Sequence, residues 1–375
     1  MRSARIMTLP AITSTKACPG EVDPVRQGEP LFADKDMRQL WNLRRLPFVG
    51  SPSDPMNGKR CRPVRPPWLQ IGLALVGGAI VIFAFSASGY VVTVVGFAAI
   101  YGIFCTGLNF FMGYAGQASF GQNAFAALGG YGTAILCTDY NMEPALALLL
   151  TMTFSGLVAV VVGYPTLRLR GHYLAMATFA LGLITYEISI EWTSLTQGYM
   201  GYSGIPPLRL VRFEAVTEKQ QLAVILVLLA LGVFASHRMR QSRFGRALRA
   251  IAGSEPAASA LGINVARHKL IAFMIAALYG SAAGSLFAHF VGFISPEVFG
   301  TSMVVSSFTM LYLGGIGTVA GPIIGAVIVS LLPEFLRGLK DWQDVVYIVV
   351  LLAILIYAPR GIAGYLDRLL PREEA

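Results

Sequence analysis

The stretch Gly113-Tyr-Ala-Gly-Gln-Ala-Ser-Phe-Gly-Gln-Asn-Ala-Phe125 sets Gln117, Ser119, Gln122 and Asn123 among Gly113, Gly116 and Gly121. Glycine reaches positive φ without steric cost, so glycines this close together permit an unwound turn. Amides and hydroxyls can hold a polar solute by hydrogen bonds without bringing a charge into apolar surroundings. The competing explanation is that such small residues only let helices pack closely, and composition leaves both open. A second cluster, Gly314-Gly-Ile-Gly317-Thr-Val-Ala320, echoes Gly113-Tyr-Ala-Gly116-Gln-Ala-Ser119 as a weak internal repeat.

The segment Ser242-Arg-Phe-Gly-Arg-Ala-Leu-Arg-Ala-Ile-Ala-Gly-Ser-Glu-Pro-Ala-Ala-Ser-Ala-Leu-Gly262 carries a different chemistry. Its arginines make it too polar to cross a membrane, while Phe244, Leu248, Ile251 and Leu261 supply an apolar face. On physical grounds it is either a helix resting on the membrane interface or a docking helix for a soluble partner.

The elements that position these segments are membrane spans. Hydrophobic residues make up 55% of the chain and charged residues 13%, against roughly a quarter charged in a soluble protein. Pro66 to Thr138, Ile271 to Pro296 and Val345 to Pro359 contain no Asp, Glu, Lys or Arg. Since about 20 apolar residues cross a bilayer, the expected fold is all-α and polytopic, with about ten spans. They start near Leu69, Val91, Phe120, Ala145, His172, Leu222, Leu270, Ser302, Val319 and Val345, with glycine-rich breaks before the third and ninth.

The expected domains are a mostly disordered cytoplasmic N-terminal tail over 1–67, a transmembrane permease domain over 68–360 and a cytoplasmic C-terminal tail over 361–375. The tail has no positively charged start, apolar run and small-residue cleavage site, so it is not read as a secretory signal. A start at Met56 would retain Lys59, Arg60, Arg62 and Arg65, enough to hold the N-terminus inside.

Charge placement gives the topology. Of 29 Lys and Arg, 12 precede the first span and seven lie between Arg238 and Lys269, a positive-inside bias. The Asp139 to Pro144 loop and the long Trp192 to Lys219 loop face out, Arg168 and Arg170 mark an inward turn, and loop 238–269 faces in. Both termini come out cytoplasmic. The net charge of +9 thus needs no nucleic acid. Cys18, Cys61, Cys105 and Cys137 form no CxxC pair and read as free thiols, with no metal site.

Glu187 and Glu191 lie near an outer span end beside Trp192, which fits interface placement as well as a pathway role. His289 reads as a packed, hydrogen-bonded histidine, and Gly280 and Gly284 as a small-xxx-small pair for close helix packing. No GxxxxGK[ST] occurs, so ATP hydrolysis is not expected on this chain. No nucleophile, base or metal cluster converges, which disfavours an enzyme.

Glu255, Ala257, Ala258 and Gly262 match the cytoplasmic coupling loop of ABC importer permeases. Four further stretches are Gly113-Tyr-Ala-Gly-Gln-Ala-Ser119, Leu167-Arg-Leu-Arg-Gly171 with Tyr173-Leu-Ala175, Ser203-Gly-Ile-Pro-Pro207, and Leu313-Gly-Gly-Ile-Gly-Thr-Val-Ala-Gly-Pro322. In this order, across roughly Val91 to Pro359, the set resembles the branched-chain amino acid permease family, its LivM-like subunit. Thr196 to Tyr202 and Gln122-Asn123 depart from the family pattern, the latter from a more usual His or Gln followed by Ala.

The resemblance implies a permease subunit of an ATP-binding-cassette importer in the bacterial inner membrane, carrying branched-chain amino acids or a related small polar solute. Implied partners are a second homologous permease, two cytoplasmic ATPases and a periplasmic solute-binding protein, with ATP on the partners and no cofactor on this chain. Arg243, Arg246, Glu255, Ala257, Ala258 and Gly262 would then contact the ATPases. Gly113, Gly116, Gln117, Ser119, Gly121, Gln122, Asn123, Gly314 and Gly317 would line the translocation path. The alternative is an ion-gradient-driven secondary transporter or channel, which usually keeps buried acids or histidines as ion sites; the charge-poor spans disfavour it.

The topology is checked by impermeant thiol labelling of single cysteines placed in a cysteine-free background in intact spheroplasts. Ser203→Cys should label and Ser254→Cys should not; the reverse pattern would invert the membrane orientation.

Overall fold

The computed structural model describes residues 89–169, 171–210, 213–214, 217–336, 342, 345–349, 352 and 361–362. The N-terminal tail, the span expected near Leu69, and most of the span expected near Val345 and of the C-terminal tail lie outside the described residues.

Helices begin close to the eight remaining expected starts. They are α1 (Gly89–Asn109), α2 (Gln122–Thr138), α3 (Pro144–Thr166) and α4 (His172–Glu191). After a short α5 (Thr193–Thr196) come α6 (Glu218–Gln241), α7 (Arg243–Gly253) and α8 (Glu255–Ala260). The described part closes with α9 (Val265–Val291), α10 (Thr301–Gly314) and α11 (Gly321–Leu336). Five of these, α1 with its π-helical extension, α3, α4, α6 and α9, are long and apolar enough to cross a membrane. The chain is a helical, multi-pass membrane protein.

α10 differs from that pattern: its 14 residues, about 21 Å at 1.5 Å per residue, fall short of a roughly 30 Å hydrocarbon layer. α11 is described as far as Leu336.

Local chemistry sets the helix starts. Pro144 opens α3, where its missing N–H costs nothing. Thr217 and Gln220 form a reciprocal capping box on α6. The side chains of Ser242, Ser254 and Asn264 accept from Gly245, Ala257 and Arg267 N–H to cap α7, α8 and α9. Gly292 ends α9 at φ 73°.

Burial separates two roles. α1 and α9 are mostly enclosed by protein, whereas α3, α4 and α6 leave apolar flanks such as Phe154, Leu157, Val161, Tyr173, Ile184 and Phe234 exposed, as lipid-facing or subunit-facing helices do. α9 is the central post, packing on α1, α2 and α3. Its contact with α2 is backbone-close. A Cβ at Gly284 would overlap the Ala126 carbonyl, and one at Gly129 the Ser281 carbonyl. Thr133, Thr151 and Ser285 join α2, α3 and α9 through hydroxyl contacts of 2.7–3.3 Å, and Ser155 donates to Ser281 at 3.0 Å. This small-residue seam bears out the packing role of Gly280 and Gly284.

The loop from Trp192 to Lys219 takes part in two small antiparallel pairs, one within itself and one with the segment after α9. β1 (Tyr202–Ser203) pairs with β4 (Phe293–Ile294), and β2 (Arg209–Leu210) with β3 (Phe213–Glu214). Tyr202 donates its phenol to Asp139 Oδ2 at 2.9 Å, and Ile205 N–H donates to Gly292 O at 3.3 Å. Burial and the Asp139 carboxylate hold that phenol above its ordinary pKa. His289 is buried with Nδ1 2.8 Å from Pro206 O, the packed histidine the sequence leads one to expect.

Gly284→Leu should lower the melting temperature of the purified protein by several degrees, since overpacking costs about 1–3 kcal/mol. Gly253→Ala, which meets nothing within 4 Å, should leave it unchanged. Equal melting temperatures for both variants would mean the α2–α9 seam is looser than described.

Candidate translocation and coupling site

The first glycine segment breaks a membrane helix, the unwound turn being one of the two readings its composition leaves open. α1 widens into a π-helical turn at Phe110–Tyr114, the chain then runs non-helically, and α2 starts at Gln122. Gly116 sits at φ 67° with Ala252 of α7 so near that an added Cβ would lie 3.0 Å from the alanine Cβ. Gly121, at the N-cap of α2, abuts the Thr178 carbonyl of α4. Phe120 N–H donates to Thr178 Oγ1 at 3.1 Å.

The second segment breaks in a similar way between α10 and α11, with Gly315 at φ 114° and Gly317 at φ 76°. A Cβ on Gly314 would overlap the Gly321 carbonyl. The two breaks touch: a Cβ on Gly113 would come within 2.7 Å of Gly317 N. Asn109, fully buried at the end of α1, joins them. Its Nδ2 donates to Thr318 O at 2.7 Å and its Oδ1 accepts from Gly317 N–H at 2.8 Å. Sequence reasoning missed Asn109, although an asparagine in a charge-free apolar run four residues before Gly113 was a usable signal.

Three of the expected path residues turn inward together. Ser119, Gln122 and Asn123 are each at most 4% exposed. With Leu108, Ser307 and the stacked pair Phe120 and Phe308 they line a narrow cavity of about 10 Å³. Asn123 Nδ2 donates to Phe299 O at 2.8 Å. The Ser119 hydroxyl, both polar atoms of the Gln122 amide and the Asn123 carbonyl oxygen have no hydrogen-bond partner among the described residues.

Gln117 goes elsewhere. Its Nε2 donates to Glu255 Oε1 at 3.1 Å, and the same carboxylate oxygen is ion-paired with Lys269. The Lys269 side chain is 3% exposed and that of Glu255 25%. The glycine break and the 238–269 loop are therefore joined by one hydrogen-bonded link. α7 and the end of α6 reinforce it: Leu248 of α7 is buried in a cluster with Phe110, Phe111, Tyr114 and Phe273, and the guanidinium of Arg240 in α6 lies 5.8 Å from the Tyr114 ring centre.

This changes the reading of the loop. Arg243, Arg246, Ala257 and Gly262 are exposed, as a docking face requires, but Ala258 is buried and Glu255 is tied inward. Lys269, placed by its charge at the end of a cytoplasmic loop, lies within α9 and is buried, because α9 starts at Val265 rather than near Leu270. Among the described residues no group of three or more His, Cys, Asp and Glu is placed to hold a metal.

Residues 90–357 match the family model described as the permease component of branched-chain amino acid transport systems. The chain belongs to that family. This permease is 30% identical over 286 residues to the high-affinity branched-chain amino acid transport system permease protein LivM of Salmonella typhimurium, covering 70% of this chain and 67% of the relative. It is 29% identical over the same shares to LivM of Escherichia coli K12. A shorter match, 36% identical over 145 residues, links it to the permease protein LivH of Escherichia coli K12, covering 38% of this chain and 46% of that one. No solved structure matches it.

Proposed function

We propose that this permease subunit of an ABC importer carries branched-chain amino acids, or a close small polar relative, across the bacterial inner membrane, with both termini in the cytoplasm. It would work with a second homologous permease, two cytoplasmic ATPases and a periplasmic solute-binding protein, ATP being bound and hydrolysed on the partners. The similarity to both LivM and LivH favours a pair of related permeases.

The observation that carries the mechanism is the link Gln117–Glu255–Lys269. An ATPase pushing on the exposed face of α7 and α8, where Arg243, Arg246, Ala257 and Gly262 lie, moves Glu255. Because Glu255 grips both the first break and the start of α9, that motion reaches the Gly113–Gly121 segment directly. Through Asn109 it passes on to Gly317. Two unwound segments that meet within the protein are a natural place for helices to rock and open a path.

A gradient-driven carrier would need buried ionisable groups to bind its ion. Among the described residues no carboxylate is buried; of the buried basic groups Lys269 is already paired, and His289 has its Nδ1 2.8 Å from Pro206 O.

Gly262→Asp tests the docking face. Gly262 is at φ 81° with open space around it, and aspartate tolerates that region better than most residues. Expression and folding should hold, while co-purification of the ATPases and solute-stimulated ATP hydrolysis in proteoliposomes fall at least tenfold. Wild-type values for both would make the loop a bystander, and uptake by this chain without any ATPase would end the importer assignment.

A further inference from the structure

Four aromatic rings run from the first break to an open face of the protein. Phe120, inside the break, stacks on Phe308 of α10 with ring centres 4.3 Å apart and planes 10° apart. Phe179 of α4 meets Phe120 edge-on at 6.4 Å, and Tyr312, one turn beyond Phe308, continues the row at 6.1 Å. Phe120, Phe179 and Phe308 are half-buried and Tyr312 is 38% exposed. Val305, on the same face of α10, is exposed as well. Rings in the interior of a core would be enclosed on all sides. These border a surface.

Each ring of the stacked pair rides on a different break. Phe120 belongs to the non-helical segment itself, and Phe308 to the helix that ends where Gly315 turns at φ 114°. The Phe120 segment is held at two points. At one end Gln117 is bonded to Glu255. At the other, Phe120 N–H donates to Thr178 Oγ1 and Gly121 abuts the Thr178 carbonyl. Between these anchors Ala118 is exposed, which leaves the segment room to turn. Displacing Glu255 therefore swings Phe120 about its Thr178 anchor, while Phe308 is held separately by α10. Behind the rings the space narrows to about 10 Å³, too small for a solute. Apolar constrictions of this kind also hold back water and ions.

We propose that Phe120 and Phe308 are the gate of this permease, a stacked aromatic seal that is shut at rest and parts when Gln117 is pulled. The proposal rests on the importer reading and deepens it: the push on the coupling loop ends at these two rings, and the break is unwound so that one of them can move. Phe179 and Tyr312 flank the seal and give each ring a neighbour to slide along.

The test uses the complete importer in proteoliposomes. Phe120→Cys with Phe308→Cys, in a cysteine-free background, is treated with a short bifunctional methanethiosulfonate. The pair should cross-link at rest, uptake of tritiated leucine should stop, and a reductant should restore it. Trapping the ATPases with vanadate before treatment should slow cross-linking at least tenfold. Separately, Phe308→Ala and the milder Phe308→Leu should raise ATP-independent efflux of preloaded leucine, the alanine variant at least tenfold. Phe97→Ala removes ring contacts of 5.6 and 5.8 Å between α1 and α9, and should cost comparable thermal stability without any leak.

Cross-linking that proceeds equally in both states, or that leaves uptake intact, overturns the gate while the importer reading stands, and so does the absence of cross-linking in either state. Equal leak from Phe97→Ala and Phe308→Ala would reduce the stack to ordinary packing. If wild type imports no leucine but cross-linking still slows on trapping, the amino-acid reading falls and the gate stands.

Discussion

An ammonium buried at the start of a membrane helix has to be paired. Lys269 finds its partner 14 residues earlier in Glu255. Breaking a fully buried pair costs about 3–5 kcal/mol, because the remaining charge is stranded; with a quarter of the Glu255 side chain exposed, the cost here is lower but still large on the scale of single contacts. The pair holds α8 against α9 and fixes where the loop sits. Gln117 then adds the first glycine break to the same carboxylate. A surface loop and an interior break thereby become one mechanical unit.

From that link outward the arrangement is a chain of short connections. α7 presses Leu248 onto the π-turn that ends α1, Gly116 lets the chain pass Ala252, and Asn109 ties this turn to Gly317. None of these steps relies on long-range electrostatics. Each is a hydrogen bond or a van der Waals contact that must shift if its neighbour shifts. The small-residue seam between α2 and α9 supplies the rigid counterpart, with backbones too close to slide freely. A movable break against a fixed post is what a permease driven from outside its own chain requires.

Much of this was legible in the residues. Charge-free runs located the helices, and closely spaced glycines permit the positive φ found at Gly116 and Gly317. The amphipathic pattern of Phe244, Leu248 and Ile251 marked α7, and it is Leu248 and Ile251 that are buried. The contacts across the chain were not legible. Nothing local pairs Gln117 with Glu255, 138 residues away, or Asn109 with Gly317, 208 residues away. Lys269 misled for a physical reason. Hydropathy counts a lysine as solvated, and only its distant counter-charge makes burial affordable. Ala257 and Ala258 look equivalent in sequence, yet helical geometry turns one out and the other in.

The central claim is that Gln117 transmits motion rather than binding either ATPase or solute. The most direct measurement is the ratio of solute imported to ATP hydrolysed in proteoliposomes holding the complete importer, for wild type and Gln117→Leu. The leucine side chain keeps the bulk at a half-buried site and leaves Glu255 paired with Lys269. The account predicts full ATPase co-purification and near-normal hydrolysis, with the import ratio at least tenfold lower. A wild-type ratio in Gln117→Leu would contradict it and reduce the contact to incidental packing.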